Sequence, residues 1–252
     1  MSLQSEFKEI AQTGGRAAMV TVVAGDGDVL GAKLLVRADG EASGSLGSPE
    51  LDARGVEYAE ELMWAERSEL RGDLFVDVVA PPPRLIVFGA VDFAAALCQM
   101  AKAAGWRPFV VDPRGRFATR ERFPDAEDVV VAWPEKAFAQ LGGIDRATYI
   151  AVLTHDPKLD DAALTAALAS DAPYIGAMGS RRAQESRRER LLAKGVTDEE
   201  LERVSAPIGL DLGALTAEET ALSIMAEIVA MRYGRDGGRL ANAKGRIHEV
   251  GV

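Results

Sequence analysis

Four stretches of this chain carry side chains able to hold or transform a small ligand. The first is a glycine turn, Gly89-Ala90-Val91-Asp92-Phe93-Ala94, with an acid and a base further on at Asp112 and Arg114. In the form G-x-G-x-x-G/A, such a turn brings pyrophosphate to a helix start, and an acid about 20 residues on reaches a ribose hydroxyl. Here Val91 replaces the middle glycine and puts a branched Cβ where backbone must approach pyrophosphate. Asp92 sets a carboxylate on the helix N-terminal N–H groups that a phosphate would use. Both changes oppose NAD(P) binding and favour a plain strand–helix connection.

The second stretch is Leu153-Thr154-His155-Asp156-Pro157, continued by Lys158-Leu159-Asp160-Asp161, and the third is Gly176-Ala177-Met178-Gly179-Ser180-Arg181-Arg182. Together they offer an imidazole, hydroxyls, carboxylates and a helix start. That set suits an anionic or heteroaromatic ligand, with Arg181 giving a forked contact and Gly179 close backbone access. Plainer roles are open too: Asp160 and Ser180 as helix N-caps, Thr154 and His155 as partners of loop backbone. A metal centre from His155, Asp156, Asp160 and Asp161 lacks a helical histidine spacing or a second nearby histidine, and His248 near the C-terminus does not supply one. Ser180 lies in G-S-R rather than a G-x-S-x-G elbow, which argues against a hydrolase nucleophile. Cys98 reads as a small core side chain. The fourth stretch, Ala206-Pro207-Ile208-Gly209-Leu210-Asp211-Leu212-Gly213, is apolar and punctuated by glycine, as for a loop packed on a sheet edge, with Asp211 facing a ligand or capping a turn.

These stretches need a scaffold that gathers them. Residues 84–114 read as strand, tight turn, helix and strand, a βαβ unit whose ligand sites lie beyond the carboxyl ends of its strands. Asp92 is placed to cap the helix, and Phe93, Leu97, Met100 and Ala104 share one of its faces. Strands at 85–88, 108–111, 129–132, 149–153 and 174–177 alternate with helices at 93–104, 134–141, 160–169 and 181–194, which predicts a doubly wound α/β sheet of Rossmann type. A short helix at 198–204 follows, and Thr216 with Glu219 forms a capping box before a long apolar helix to residue 234 that could pack in the core or make a homodimer surface. Upstream, β-rich runs at 17–24 and 31–40 are joined by Gly25-Asp26-Gly27-Asp28. A strand at 42–46 follows, then a helix from Ser48 or Pro49 burying Leu51, Val56, Ala59 and Met63, and a strand at 71–79. The predicted organisation is a β-rich α+β domain over 1–80, a proline linker at 81–83, the Rossmann-like domain over 84–234 and a loose tail at 235–252.

A chain of 252 residues, 48% hydrophobic and 27% charged, has the makings of a globular protein with two modest domains. Its net charge of −10 repels phosphate backbones and anionic lipid, so neither nucleic acid nor a membrane is an expected partner. The one evident basic cluster, Arg181, Arg182, Arg187, Arg188 and Arg190, is interleaved with Glu185 and Glu189 and reads as a solvated helix face. With a single cysteine and a polar N-terminal segment, neither disulfide, thiolate metal cluster nor secretory leader is expected, which implies a cytoplasmic setting.

The motifs VFGAVDFAAAL, VVDPR, LTHDPKLDDAAL, YIGAMGSRR, APIGLDLGALTAEETALSIMAEIVA and GAKLLVRADGEASGSLG resemble the xanthine dehydrogenase accessory factor family, XdhC/CoxI type, over about residues 17–233. The resemblance implies a small N-terminal domain, a Rossmann-like domain and chaperone-like work rather than turnover of a free substrate. That work is binding molybdenum cofactor (molybdopterin), supporting its sulfuration and delivering it to a molybdenum hydroxylase of xanthine dehydrogenase type. A cysteine desulfurase is the partner implied for sulfuration. The candidate cofactor-binding residues are Gly89, Asp112, Arg114, Thr154, His155, Asp156, Gly179, Ser180, Arg181, Gly209 and Asp211; no catalytic or metal-ligating residue is assigned. Two positions depart from the family pattern: its G-A-G-H turn reads Gly89-Ala90-Val91-Asp92 here, and Glu50 stands where many members have a cysteine. A carboxylate cannot carry sulfur. The rival readings are an NAD(P)-dependent oxidoreductase and a degenerate scaffold that binds only the partner protein.

Overall fold

Alternation along the strands dictates the layering, since successive side chains point to opposite faces of a sheet. In the computed structural model, which describes residues 2–25 and 27–244, the chain forms two compact units divided after Pro81. Asp26 and His248 lie outside the described residues, as does the end of the expected tail.

The first unit contains α1 (Leu3–Gln12), β1 (Ala17–Val22), β2 (Lys33–Arg37), β3 (Ala42–Ser45), α2 (Pro49–Trp64), β4 (Glu69–Arg71) and β5 (Leu74–Val79). Its antiparallel sheet has the order β3-β2-β1-β5-β4. On β1, Ala18, Val20 and Val22 face α2, while Ala17 and Met19 join Leu35 against Leu3, Phe7 and Ile10 of α1. Both faces of the central strand are therefore covered. The strand expected at 71–79 is a β4–β5 hairpin turned at Gly72, which has φ +60°. On α2, Gly55 and Leu62 join Ala59 and Met63 inside, while Leu51 and Val56 are only half-buried. Gly55 is small because the sheet comes close: an added Cβ would lie 2.6 Å from Leu46 Cδ1.

The second unit contains β6 (Arg84–Phe88), α3 (Asp92–Ala103), β7 (Arg107–Val111), β8 (Asp128–Val130), α4 (Pro134–Gln140), β9 (Thr148–Val152), α5 (Pro157–Leu168), β10 (Tyr174–Ala177), α6 (Arg181–Ala193), α7 (Asp198–Glu202), β11 (Val204–Ser205) and α8 (Ala217–Arg232). All six strands are parallel, in the order β11-β10-β9-β6-β7-β8. The chain winds outward from β6 to β8, then crosses back to β9 and winds out the other way. Neighbouring β6 and β9 thus form the topological switch point, where ligands bind in such sheets. Leu85 and Val87 of β6 pack with α3 and α8, and Ile86 and Phe88 pack with α4 and α5 on the opposite face. The expected doubly wound α/β fold is present, with one strand more than the sequence signals indicated. The helix expected at 198–204 stops at Glu202, and Val204 and Ser205 pair with Ile175 and Gly176 as an edge strand. The buried face of α3 is Ala94, Leu97, Cys98 and Ala101, whereas Ala104 is exposed beyond the helix end. α8 turns Ala221, Ile224, Met225 and Ile228 to the core. Among the described residues no helix is long and apolar enough to cross a membrane.

Candidate functional site

Four turns leave the carboxyl edge of the parallel sheet after β6, β9, β10 and β11, and each is fastened by a buried group. At the first, Gly89 has φ +111°, and a Cβ there would lie 2.8 Å from Thr154 Cγ2 and 3.0 Å from Thr154 N. The glycine is what lets the ends of β6 and β9 approach. Gly89→Ala is expected to lower the free energy of unfolding by about 1–3 kcal/mol, read by urea denaturation; an unchanged midpoint would show that the turn yields.

Asp112, fully buried at the end of β7, fastens the same turn from the other side. Its Oδ2 accepts from Ala90 N–H at 2.9 Å and Arg114 Nη2 at 2.7 Å, and its Oδ1 accepts from Arg114 N–H and Nε, both at 2.9 Å. Burial pushes this carboxyl up, but the Arg114 fork and the two backbone N–H groups outweigh it and hold the group below the usual carboxylate range. A carboxylate has about four lone-pair sites, and all are taken. No acceptor is left for a ribose hydroxyl, which counts against the oxidoreductase reading. Asp92 does not cap α3: Val91 is the N-cap residue and gives no side-chain bond, while the Asp92 carboxylate turns outward to Arg122 Nη2 at 3.0 Å.

The β9 and β10 turns are locked to each other. Thr154 Oγ1 donates to Asp160 Oδ1 at 2.7 Å and accepts from Asp156 N–H at 2.9 Å. Asp160 Oδ2 pairs with Arg187 Nη2 at 2.8 Å, and the same nitrogen donates to the carbonyl of Met178 at 2.9 Å. Arg187 also donates to Gln184, whose amide reaches the carbonyls of Ala177 and Gly179. Thr154, Asp160 and Arg187 are all buried. Burial pushes the Asp160 carboxyl upward against the pull of Arg187 and Thr154. Asp160 is therefore not an N-cap; α5 starts at Pro157, capped by Asp156, whose carboxylate accepts from Lys158 N–H at 2.9 Å. Nor is the α6 arginine cluster wholly solvated, because Arg187 points inward. Asp161 is held by Arg190 and Lys194. Among the described residues no group of three or more His, Cys, Asp or Glu could hold a metal ion.

The side chains left exposed on these two turns include His155, which makes no hydrogen bond among the described residues, Asp156, Ser180, Arg181 and Arg182. Ser180 caps α6 by accepting from Ala183 N–H at 3.3 Å, and Gly179 before it has φ +139°. Arg181 borders a cavity of about 350 Å³ floored by Leu164, Leu191, Leu201 and Val204, with Gln184, Glu185, Arg187 and Arg188 on its polar side. Arg187 Nε, buried in this region, has no partner among the described residues. The fourth turn is tied to α8: Gly209 N–H donates to Glu227 Oε2 at 2.8 Å, Tyr174 donates to the same carboxylate, and Ser223 donates to the Leu210 carbonyl. Gly209, φ +101°, leaves no room for a Cβ, which would lie 2.5 Å from Ser223 Oγ. Asp211 is exposed on this loop.

The expected residues thus separate by the contacts they make. Gly89, Asp112, Thr154 and Gly209 build the turns; His155, Ser180, Arg181 and Asp211 are presented by them. Asp156 caps α5, and Arg114 is forked onto Asp112. The positioning pair Asp160–Arg187 and the cation Arg122 were not assigned from sequence, although the run T-H-x-x-x-x-D-D and R-x-x-x-x-x-R after G-S carried a signal. Cys98 is buried, and burial with Asp125 pushes its thiol up to about 12, so it is inert as a nucleophile. In the first unit, Ser45 and the N–H of Leu46 bind Asp52, at 2.9 and 2.5 Å, and Glu50 is exposed in the first turn of α2.

Comparison with known proteins identifies the family and the fold. The family model for the XdhC Rossmann domain matches residues 85–228, and the model for the XdhC and CoxI family matches residues 10–72. An uncharacterised Escherichia coli K12 protein, YqeB, is 26% identical over 226 residues, 82% of this chain and 41% of that protein. A probable xanthine dehydrogenase subunit from Bacillus subtilis 168 is 30% identical over 64% of this chain and 46% of its own. The molybdenum cofactor insertion chaperone PaoD of Escherichia coli K12 is 30% identical over 62% of this chain and 42% of its own. The chain spans less than half the length of each of these relatives. A crystal structure described as a xanthine dehydrogenase from Bacillus halodurans shares the fold, with a TM-score of 0.62 and 22% identity over 90% of this chain and 65% of that one. With the Rossmann-domain match covering more than half of its residues, the chain belongs to the XdhC and CoxI family.

Proposed function

We propose that this protein is an accessory factor that holds molybdenum cofactor at the carboxyl edge of its parallel sheet and passes it to a molybdenum hydroxylase of xanthine dehydrogenase type, in the cytoplasm. The observation that carries the reading is the buried Thr154–Asp160–Arg187–Met178 chain, which fixes two neighbouring turns while leaving His155, Ser180 and Arg181 exposed. Preorganised turns bearing free polar side chains are what ligand capture needs, because little is then lost in ordering the site.

The residues present fit a phosphorylated heteroaromatic group. The Arg181 cavity has an apolar floor for a planar ring, cations at its rim and a buried guanidinium N–H without a partner. Arg181 would clamp the phosphate, and His155, exposed on the neighbouring β9 turn and outside this cavity's lining, would hydrogen-bond a part of the ligand that extends beyond the cavity. Bound there, the cofactor supplies the redox-active centre that the client enzyme uses. The protein's own part is to hold, orient and release it. Glu50 cannot carry sulfur, so any sulfuration of the held cofactor, by a cysteine desulfurase for example, does not run through residue 50.

The test is activation of cofactor-free hydroxylase by molybdenum cofactor, with and without this protein. Parent protein is expected to raise the rate of activation, and Arg181→Ala and His155→Ala to reduce that gain about tenfold with unfolding midpoints unchanged, since both side chains are exposed. No acceleration by the parent would overturn the accessory role.

A further inference from the structure

A second cavity, of about 390 Å³, opens at the first turn and is lined by Ala90, Val91, Asp92, Arg114, Phe117 and Arg122. The sequence shows no phosphate-binding glycine here, yet the fold gathers cations. Arg114 is clamped through Nε and Nη2 by buried Asp112, its Nη1 makes no hydrogen bond among the described residues, and its side chain is 42% exposed. Arg122 is pinned through Nη1, which donates to the carbonyls of Ala90 at 2.8 Å and Phe117 at 2.9 Å. Arg116 and Arg114 lie over the Phe117 ring, at 4.5 and 5.1 Å from its centroid. This cluster lies in a chain of net charge −10.

The acids around these cations do not block the cavity. Asp112 is fully buried and has no free lone pair. Asp92 pairs with Arg122 Nη2 from the rim with 93% of its side chain in solvent. So exposed a pair is weak and is readily exchanged for an incoming anion. Asp156 acts on Arg114 only through its longer-range charge.

We propose that this cavity is an anion subsite that takes the phosphate or diphosphate group of a small molecule. Arg114 and Arg122 clamp the oxygens, and Phe117 lies beside the group that bears them. Fixed guanidinium forks here replace the backbone cradle that a glycine-rich turn would supply. Asp92 competes with the ligand for Arg122. The inference rests on the cavity and not on the accessory role, so inorganic pyrophosphate alone decides whether it stands.

Inorganic pyrophosphate titrated into the full-length protein by calorimetry at low salt is the probe. Saturable binding is expected, weakened about tenfold in Arg122→Gln and in Arg114→Gln proteins and tightened severalfold in Asp92→Asn protein. Asp92 is on the surface, so its variant reports even if the arginine variants fold poorly. Competition then identifies the carrier of the phosphate: displacement of pyrophosphate by molybdenum cofactor assigns the group to the cofactor, and displacement by ADP assigns it to a nucleotide. Absence of saturable binding to both parent and Asp92→Asn protein at about 10 mM pyrophosphate would overturn the proposal. Affinities that agree within about twofold across parent and variants would overturn it as well.

Discussion

Asp160→Ala protein is expected to lose about 3–5 kcal/mol of unfolding free energy, because it strands the Arg187 guanidinium in the interior. Both partners of this ion pair are almost wholly removed from water, with side-chain exposures of 4% and 7%. Taking both charges away is a different experiment. Asp160→Leu combined with Arg187→Met leaves no unpaired charge and is expected to recover most of the loss, since buried ion pairs seldom outdo apolar replacements of similar volume. The double variant should nevertheless fail to hold the β9 and β10 turns together, because Thr154 loses Asp160 and the Met178 carbonyl loses Arg187. Equilibrium urea denaturation of the single and double variants checks the first part. A loss below about 1 kcal/mol for Asp160→Ala would show that the pair behaves as a surface bridge.

The second large effect is at Asp112. Asp112→Asn keeps the shape but replaces one acceptor oxygen with a donor, which then faces the N–H of Ala90 or the groups of Arg114. A loss of about 3 kcal/mol near neutral pH is expected. The pH dependence has a definite sign. The carboxyl of Asp112 is held below its ordinary value in the folded protein, so its contribution is present above the unfolded pKa of about 3.9 and disappears as pH falls through the lowered folded value. Parent and variant stabilities should therefore converge as the solution is acidified below about pH 4. A gap that stays constant down to acid unfolding would mean that Asp112 does not act through its charge.

The parallel sheet was legible because its strands are short apolar runs buried on both faces, separated by helices with glycine or capping residues at their ends. β11 was not legible. Two residues, Val204 and Ser205, make too short a run to stand out from the helix before them. Sequence also misassigned acids wherever a cap and a salt bridge compete for the same residue. Asp92 and Asp160 both stand near helix starts, but Arg122 and Arg187 draw them elsewhere, and neither arginine is a near neighbour in sequence. For the same reason the motif residues T-H-D-P-K-L-D-D and G-S-R located the candidate site without showing which of them touch a ligand. That division follows from burial, which sends Thr154 and Asp160 inward and leaves His155 and Arg181 outside. Arg114, Arg116, Arg120 and Arg122 stand in one basic run, RGRFATRER, but only the fold separates their roles: Arg114 and Arg116 lie over Phe117, Arg122 lies over Phe123, and Arg120 turns away to Asp128.

Calorimetric titration of the purified protein with molybdenum cofactor under anaerobic conditions, parent beside Arg181→Ala and His155→Ala, tests the central claim most directly. The account expects saturable one-site binding to the parent and about tenfold weaker binding to each variant. Equal affinity for all three proteins would remove the site from the β9 and β10 turns. No binding to the parent, with a partner hydroxylase still captured, would contradict cofactor holding and leave a scaffold in its place.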